Sequence, residues 1–311
     1  MSELDKIGKK TKKKDEEILP VFGVENPTIR PLQNFEDKAT VGVVLPRMLK
    51  TKLVNDVFIL REDGKCSHHS KYNISGEVLT IDPMWPSELI EKYINGECDE
   101  TTFEEVYNLI IKKLKEHVEL QEENHYTFIA LWIIGTYFFE RFEEYPYLWI
   151  NGPKGSGKSK LMKVLAQIVF YPSYVVGTRA ASLFRKASMG CTILYDECEH
   201  LWDPKNKEQD AQDKIELINA GNGRGAFIER MDRIDEVSVI RRYNAYCPKA
   251  FGSIAQMHHV TSSRAILIPM LKEEGSKYAK KKIKNNDPEW AEIRKKLFAL
   301  MMGQWSEVNV G

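Results

Sequence analysis

The stretch Tyr-Leu-Trp-Ile-Asn-Gly-Pro-Lys-Gly-Ser-Gly-Lys-Ser, residues 147–159, decides the fold of this chain. Residues 147–151 are mainly large and apolar, which predicts a buried strand, and the apolar spacing of residues 158–169 predicts an amphipathic helix. The segment between them matches, at every position, the pattern GxxxxGK followed by Ser or Thr. A strand, a glycine-rich loop and a helix in this order form the setting in which the pattern binds phosphate.

The residue types in this loop suit a nucleoside triphosphate. Glycines let the backbone curl until several N–H groups point inward, at a helix start whose dipole favours anions. Lys158 is placed to reach the β- and γ-phosphates, and the Ser159 hydroxyl is a ligand that suits Mg²⁺. The sequence therefore predicts a site for ATP and Mg²⁺. Its binding residues are Gly152, Pro153, Lys154, Gly155, Ser156, Gly157, Lys158 and Ser159.

An acidic pair follows a second buried strand. Residues 191–195 (Cys-Thr-Ile-Leu-Tyr) are typical of such a strand, and Asp196 and Glu197 come directly after it. The carboxyl ends of parallel strands meet at the edge where ligands bind, so both carboxylates are expected beside the phosphate loop. Asp196 is predicted to hold Mg²⁺ through its water shell, and Glu197 to orient and deprotonate the attacking water.

Strand and helix patterns alternate from residue 145 onward. The strand, loop and first helix are followed by a short strand at 173–177, a helix, the strand before the acidic pair, and a helix at 208–220. Such alternation predicts an α/β fold, with a P-loop parallel sheet flanked by helices at residues 145–270.

The remaining segments have a different character. Residues 1–19 are too polar to bury and predict a disordered basic tail. Residues 20–100 contain short apolar runs with an Asp-Gly hairpin signal at 62–65, and predict a small β-rich module. A capping box at 101–105 opens a predicted helical connector over 101–144, and residues 271–311 predict a partial helical lid.

Composition excludes several classes of protein. Lysine plus arginine and aspartate plus glutamate each number 45, so any attraction to nucleic acid must come from local basic clusters. Five cysteines at irregular spacing do not fit a disulfide framework and favour a reducing, cytoplasmic setting. The most apolar run, residues 127–139, is shorter than the roughly 20 residues that span a bilayer, so no membrane partner is expected.

The order of these motifs resembles that of AAA+ ATPases, in particular ring-forming replication ATPases of plasmids, phages and archaeal mobile elements. The resemblance covers residues 145–270. It implies that the strand at 237–243 ends in a sensor 1 residue, Asn244, which aligns the lytic water with the γ-phosphate. It also implies that Arg264 is an arginine finger, which acts on the γ-phosphate of a neighbouring subunit.

A finger that acts between subunits requires head-to-tail contacts, and such contacts give rings when they close. The resemblance, rather than any spacing of residues, implies a homo-oligomer of six. It also implies a helical lid with a sensor 2 arginine. One clear helix, at 289–300, follows the predicted core, so the lid is expected to be incomplete, with Arg294 as the candidate sensor 2.

Residues 221–244 contain two extended runs about a turn predicted at 232–235, which indicates a β-hairpin. Its position is similar to that of the pore hairpin in superfamily-three and minichromosome-maintenance helicases, which presents basic residues to DNA. Arg241 and Arg242 are expected closer to the sheet. Two alternatives stay open, since Arg230 can instead act at the subunit interface and the arginines can simply pair with Glu229, Asp232 and Asp235. The candidate contacts to DNA phosphates are Arg224, Arg230 and Arg233.

Taken together, these patterns and the resemblance predict an ATP-hydrolysing motor that acts on DNA, a hexameric helicase or translocase in the replication of a mobile element or virus. An initiator or loader that uses ATP as an assembly switch is the alternative from the class of binding modules. An ATPase that remodels proteins or serves antiviral defence without DNA is the third. A small-molecule kinase fits least, because Glu197 supplies a water-activating carboxylate that a kinase avoids.

Overall fold

A computed structural model describes residues 40–61, 66–68, 87–97, 100–203, 205–234, 237–254, 256–272, 282–285 and 287–308. The predicted tail at 1–19 and the predicted Asp-Gly turn at 62–65 lie outside these residues.

The first described part is a three-stranded antiparallel sheet. Its strands, in spatial order, are β1 (Thr40–Leu49), β2 (Lys52–Arg61) and β3 (Cys66–His68). In register, Val44 lies opposite Val57 and Leu60 opposite Cys66, so both pairs of strands are antiparallel. These strands lie within residues 20–100, for which the sequence predicts a small β-rich module.

A five-stranded parallel sheet forms the centre of the molecule and confirms the predicted α/β architecture. In spatial order its strands are β10 (Ala265–Pro269), β4 (Tyr147–Asn151), β9 (Lys249–Ser253), β6 (Thr192–Tyr195) and β5 (Pro172–Val175). All four neighbouring pairs are parallel, and β9 separates β4 from β6.

The register aligns the strand ends into two edges. Asn151 lies opposite Ser253, and Tyr195 lies opposite Phe251, so β4, β6 and β9 all end at one side, here called the carboxyl edge. The strands β4, β9 and β10 begin at the other side, here called the amino edge. Parallel strands place their following loops together, and the phosphate loop and the acidic pair therefore both lie at the carboxyl edge.

One face of the sheet is covered by a layer of helices that share a large apolar core. Its helices are α2 (Phe103–His117), α3 (Glu123–Phe138), α4 (Lys158–Ile168) and α8 (Pro288–Gln304), and α1 (Ser87–Ile94) contributes Ile90 to the same core. Thr102 caps α2, and its hydroxyl accepts the Glu105 N–H at 3.2 Å, which is one of the two hydrogen bonds of the predicted capping box. α3 is apolar on all sides and packs mainly against α2 and α8, while its residues Phe128 and Leu131 stay exposed.

The other face carries shorter helices and a ribbon. They are α5 (Ala180–Ser188), α6 (Gln209–Ala220), α7 (His259–Ser262), a 3₁₀ turn (Glu199–Trp202), and the antiparallel pair β7 (Phe227–Ile234) and β8 (Val237–Asn244). The predicted hairpin is confirmed, but β7 continues to Ile234, within the segment predicted as the turn. Ile228 and Tyr243 are buried in the second apolar core, which fixes the ribbon against α5 and α6.

Candidate nucleotide site

The phosphate loop has the curled backbone that its glycines allow. Gly155 and Gly157 have φ angles of +82° and +94°, in the left-handed region that disfavours other residues. The Ser156 N–H donates to the Pro153 carbonyl at 3.2 Å, which tightens the loop. α4 begins directly afterwards, at Lys158, so the N–H groups of its first turn lie at the end of the loop.

Two observations on side chains fit an anion held by this loop. A methyl group at Gly152 would overlap the backbone carbonyl of Met270, so the loop passes too close to the chain after β10 for a larger residue. Ser156 is 8% exposed, and within the described part of the chain its hydroxyl has no hydrogen-bond partner. A buried hydroxyl without a partner is costly, and a phosphate oxygen would satisfy it.

Lys158 lies over the loop and among carboxylates. Its ammonium donates to the carbonyls of Gly152 at 2.7 Å and Pro153 at 3.0 Å. Partial burial lowers the pKa of Lys158, while the nearby carboxylates, of which Glu199 acts most strongly, raise it. The cation is thus held at the centre of the predicted triphosphate site.

Asp196 is the buried carboxylate of the acidic pair, with 1% of its surface exposed. It accepts hydrogen bonds from the Tyr174 hydroxyl at 2.9 Å and from the Glu197 N–H at 3.1 Å. Burial and the charge of Asp196 together raise the pKa of Tyr174, so that hydroxyl stays a donor. A methyl group at Gly252 would lie 2.5 Å from the Asp196 Oδ1 atom, and glycine on β9 therefore makes room for the carboxylate.

The residues present suit Mg²⁺. Asp196 contributes a fixed carboxylate at the carboxyl edge, and Ser159 contributes a hydroxyl in the first turn of α4. Hard oxygen ligands of this kind, few in number, match a cation that keeps water molecules in its shell. Ser159 and Asp196 could thus hold the ion as predicted.

Glu197 has an exposed side chain and a backbone φ of +54°, which is unusual for a residue with a side chain. Strained backbone at the end of a strand is found most often at functional sites, because it turns a side chain out of the direction that the strand dictates. The carboxylate predicted to activate water is therefore placed at the mouth of the site.

Glu199 is not among the site residues predicted from the sequence, and the structure brings it into the site. Its Oε1 atom accepts the Ile254 N–H at 2.9 Å, directly after β9. A third carboxylate two residues beyond an acidic pair was the available signal, but the sequence alone does not show that the chain turns back at Cys198.

The prediction for Asn244 is wrong. Asn244 ends β8, which pairs with β7 and does not belong to the central sheet, and its Oδ1 atom accepts the Tyr246 N–H at 3.0 Å. The strand next to the acidic strand is β9, which starts after Asn244 and runs from the amino to the carboxyl edge. Five residues separate the two edges, or about 16 Å at roughly 3.3 Å per residue. Asn244 is therefore remote from the phosphate loop of its own chain.

The physical reason for this error lies in the composition of the two strands. β8 (Val-Ser-Val-Ile-Arg-Arg-Tyr-Asn) is rich in β-branched residues, as buried strands are, whereas β9 (Lys-Ala-Phe-Gly-Ser) begins with a lysine and contains a glycine. In the structure Lys249 is 1% exposed, and its ammonium is satisfied by three backbone carbonyls. Each unusual residue of β9 thus has a contact that is distant in sequence, Lys249 with the Gly221 carbonyl and Gly252 with the Asp196 carboxylate.

Arg264 and Arg294 also lie away from the phosphate loop of their own chain. Arg264 precedes β10 at the amino edge, where its guanidinium donates to the Asn219 carbonyl at the end of α6. Arg294 donates to the Gln167 carbonyl at 2.8 Å, near the last turn of α4, whereas the phosphate loop precedes the first turn. The structure does not bring the candidate sensor 2 residue to the site, and Arg264 stays a prediction that concerns a second subunit.

The candidate DNA contacts differ in their surroundings. Arg230 is held by Asp213 at 3.3 Å and Glu216 at 2.5 Å on α6, and its guanidinium lies 4.7 Å from the centre of the Phe184 ring. This supports the alternative in which Arg230 pairs with acidic residues, although these belong to α6 rather than to the hairpin. Arg224 is exposed and 3.8 Å from Glu143, and the side chain of Arg233 falls outside the described part of the structure.

A comparison with models of known protein families finds no match, and a comparison with curated proteins finds none. Among the helices of the described residues, none combines the length and the apolar composition needed to cross a bilayer.

Proposed function

We propose that this protein binds ATP with Mg²⁺ and hydrolyses it. One observation carries the proposal: a curled glycine loop with an unpartnered buried hydroxyl lies at the same sheet edge as the buried Asp196 carboxylate. The Lys158 ammonium lies within the electrostatic reach of that carboxylate and of Glu197 and Glu199. This arrangement joins a triphosphate cradle to a carboxylate that can act on water.

The residues divide the work as follows. The loop N–H groups and the Ser156 hydroxyl bind phosphate oxygens, and Lys158 exchanges its carbonyl partners for the β- and γ-phosphates. Bound Mg²⁺ neutralises charge on the phosphates. Glu197 accepts a proton from water as the water oxygen bonds to the γ-phosphorus, and the bond from that phosphorus to the leaving oxygen breaks to release ADP.

This proposal is tested with three variants. Lys158→Ala is expected to lose both ATP binding and turnover, because the cation that holds the β- and γ-phosphates is gone. Glu197→Gln is expected to bind ATP normally and to lose turnover by a factor of about 100 or more, since general bases contribute roughly 10²–10⁴. Lys207→Ala, at an exposed lysine, is the control. Wild-type protein that neither binds nor hydrolyses ATP in magnesium buffer would contradict the proposal.

We further propose that the ATPase is of the AAA+ type and works on DNA as a closed ring, a hexameric helicase or translocase. The position of Arg264 supports the ring, because an arginine at the amino edge can reach only the nucleotide of another copy. The β7–β8 ribbon supports a DNA contact. Its Arg242 forms an exposed ion pair with Glu229 at 2.8 Å, and exposed pairs are weak enough to exchange for phosphates.

Two measurements test the DNA half of the proposal. Anisotropy of labelled single and double strands should show ATP-dependent binding that weakens steeply with salt. Strand-displacement kinetics then separate a motor from a loader, because a loader binds DNA without unwinding it. If neither Arg224→Ala nor Arg242→Ala changes the affinity for DNA, the ribbon and the segment before it do not contact DNA. Absence of DNA binding with intact ATPase activity would favour a remodelling or defence ATPase.

A further inference from the structure

The chain after the acidic pair is fastened to β9 by three contacts. The Cys198 N–H and thiol both donate to the Gly252 carbonyl, at 3.2 and 3.3 Å. One residue later, the Glu199 carboxylate accepts the Ile254 N–H at 2.9 Å. Cys198 and Glu199 thus bind the residues on either side of Ser253, the last residue of β9.

The end of β9 is also bound to the residues at the start of the phosphate loop. The Asn151 amide donates to the carbonyls of Ser253 and Ile254 at 3.2 and 3.3 Å, and the Gly152 N–H donates to Ser253 at 3.3 Å. The Ser253–Ile254 segment therefore bridges the start of the phosphate loop and the loop after Asp196. It occupies the place in the sheet that sequence reasoning had assigned to Asn244.

Glu199 joins this segment to the charged centre of the site. Of the three carboxylates that raise the pKa of Lys158, that of Glu199 has the largest effect, ahead of those of Asp196 and Glu197. Glu199 thus both accepts the Ile254 N–H after β9 and interacts electrostatically with Lys158. A shift of this segment by 1 Å would displace the two halves of the site relative to each other, which can cost about 100-fold in rate.

We propose that Glu199 is a positioning residue for ATP hydrolysis, which acts through its hydrogen bond to the Ile254 N–H to keep the phosphate loop and the acidic pair in register. The inference rests on the proposed ATPase function. The effect on turnover is expected to come from the hydrogen bond to the Ile254 N–H and not from the charge of Glu199, and conservative variants can separate the two.

Three substitutions test the contact. Glu199→Gln keeps an acceptor oxygen at the same reach and removes the charge, Glu199→Asp keeps the charge and shortens the reach, and Glu199→Ala removes both. Turnover is expected within about threefold of wild type for Gln and at least about 10-fold lower for Asp and Ala, with KM for ATP little changed. Hydrogen exchange at Ile254 should accelerate in Asp and Ala but not in Gln. Glu208→Ala, at an exposed glutamate before α6, is the matched control.

Each outcome decides a different point. Equal loss of turnover in Gln and Ala would show that the negative charge matters, and would overturn the contact. Wild-type turnover in all three variants would overturn the inference while the proposed function stands. An inactive wild-type protein would remove both. If Glu199→Ala does not fold, the comparison of Gln with Asp still decides between contact and charge.

Discussion

The two edges of the central sheet use charged residues in opposite ways. At the carboxyl edge, Lys158, Asp196 and Glu197 are gathered around a curled loop that leaves a buried hydroxyl unpaired, as a ligand site requires. At the amino edge, Lys249 donates three hydrogen bonds to backbone carbonyls, and Arg264 donates one to a carbonyl at the end of α6. Charge at one edge is arranged for a ligand, and at the other it fastens elements of the fold.

The largest effect that tests this contrast concerns Arg264, the residue of the amino edge for which a catalytic role is proposed. Arg264→Ala should lower turnover by about 10³ in the assembled protein, because an arginine finger is worth that much, and should leave ATP affinity unchanged. Mixing this variant with Lys158→Ala should restore part of the activity, since mixed rings contain interfaces with an intact loop facing an intact arginine. Steady-state ATPase assays of mixed and unmixed protein measure both effects.

Asn244→Ala is the companion variant. It removes the hydrogen bond to the Tyr246 N–H at the amino edge, and turnover should stay within about twofold of wild type. A folded Asn244→Ala protein that loses most of its turnover would show that Asn244 takes part in catalysis, against its position away from the phosphate loop of its own chain.

The next effect concerns the carboxyl edge. Gly152→Ala should weaken ATP binding by about 100-fold, or more than 2 kcal/mol, because the added methyl group overlaps the Met270 backbone and the loop must open. Gly177→Ala is the matched control, since a methyl group there meets nothing within 4 Å. Titration with a fluorescent ATP analogue measures both affinities. Equal affinities for the two variants would contradict the proposed close fit of the loop.

The phosphate loop and the acidic pair at the carboxyl edge could be predicted because the residues that define each of them are adjacent in the sequence. The strand, the glycines of the loop and the helix that starts at Lys158 lie within one short segment, and each demands a particular backbone. Asp196 follows its strand directly, so a correct prediction of the strand also places the carboxylate. The parallel sheet then brings the two segments together without any further detail.

The amino edge could not be predicted because it depends on which of two strands enters the sheet. The β-branched run of β8 and the mixed run of β9 both have lengths typical of strands, and only long-range contacts decide between them. Buried Lys249 needs the carbonyl of Gly221 on a distant segment, and Gly252 needs the carboxylate of Asp196. Neither requirement is visible in the periodicity of β9, and for the same reason Glu199 was missed.

A smaller effect tests the fastening role of Lys249. Lys249→Met should lower the free energy of unfolding by at least about 2 kcal/mol, because the carbonyls of Gly221, Ala245 and Cys247 lose a buried donor. Burial lowers the pKa of Lys249, but the three carbonyls compensate the cost of its charge. Urea unfolding measures the change, and Lys163→Met on the exposed side of α4 is the control. A stability equal to that of the control would show that the lysine does not fasten the amino edge.

The smallest effect concerns Glu140, which follows α3 beside the residues of the amino edge. Burial raises the pKa of Glu140 to about 6, and Arg224 lowers it by a smaller amount. A carboxyl whose folded pKa lies above its unfolded pKa binds its proton more tightly in the native state, so its contribution to stability grows as the pH falls from 7 towards 5. Glu140→Gln should therefore raise the free energy of unfolding by about 1–2 kcal/mol at pH 7 and by little at pH 5.

Urea unfolding of the Glu140 variant and of wild type at several pH values between 5 and 8 measures this dependence. Glu144→Gln is the matched control, because that carboxylate is exposed on the same connector, and the pH dependence of the Glu140 variant is compared with that of this control. A gain from Glu140→Gln that persists unchanged at pH 5 would show that better packing, rather than a buried charge, is the cause. A gain that disappears at low pH would show that the partly buried charge of Glu140 destabilises the fold, in contrast to the charge of Lys249.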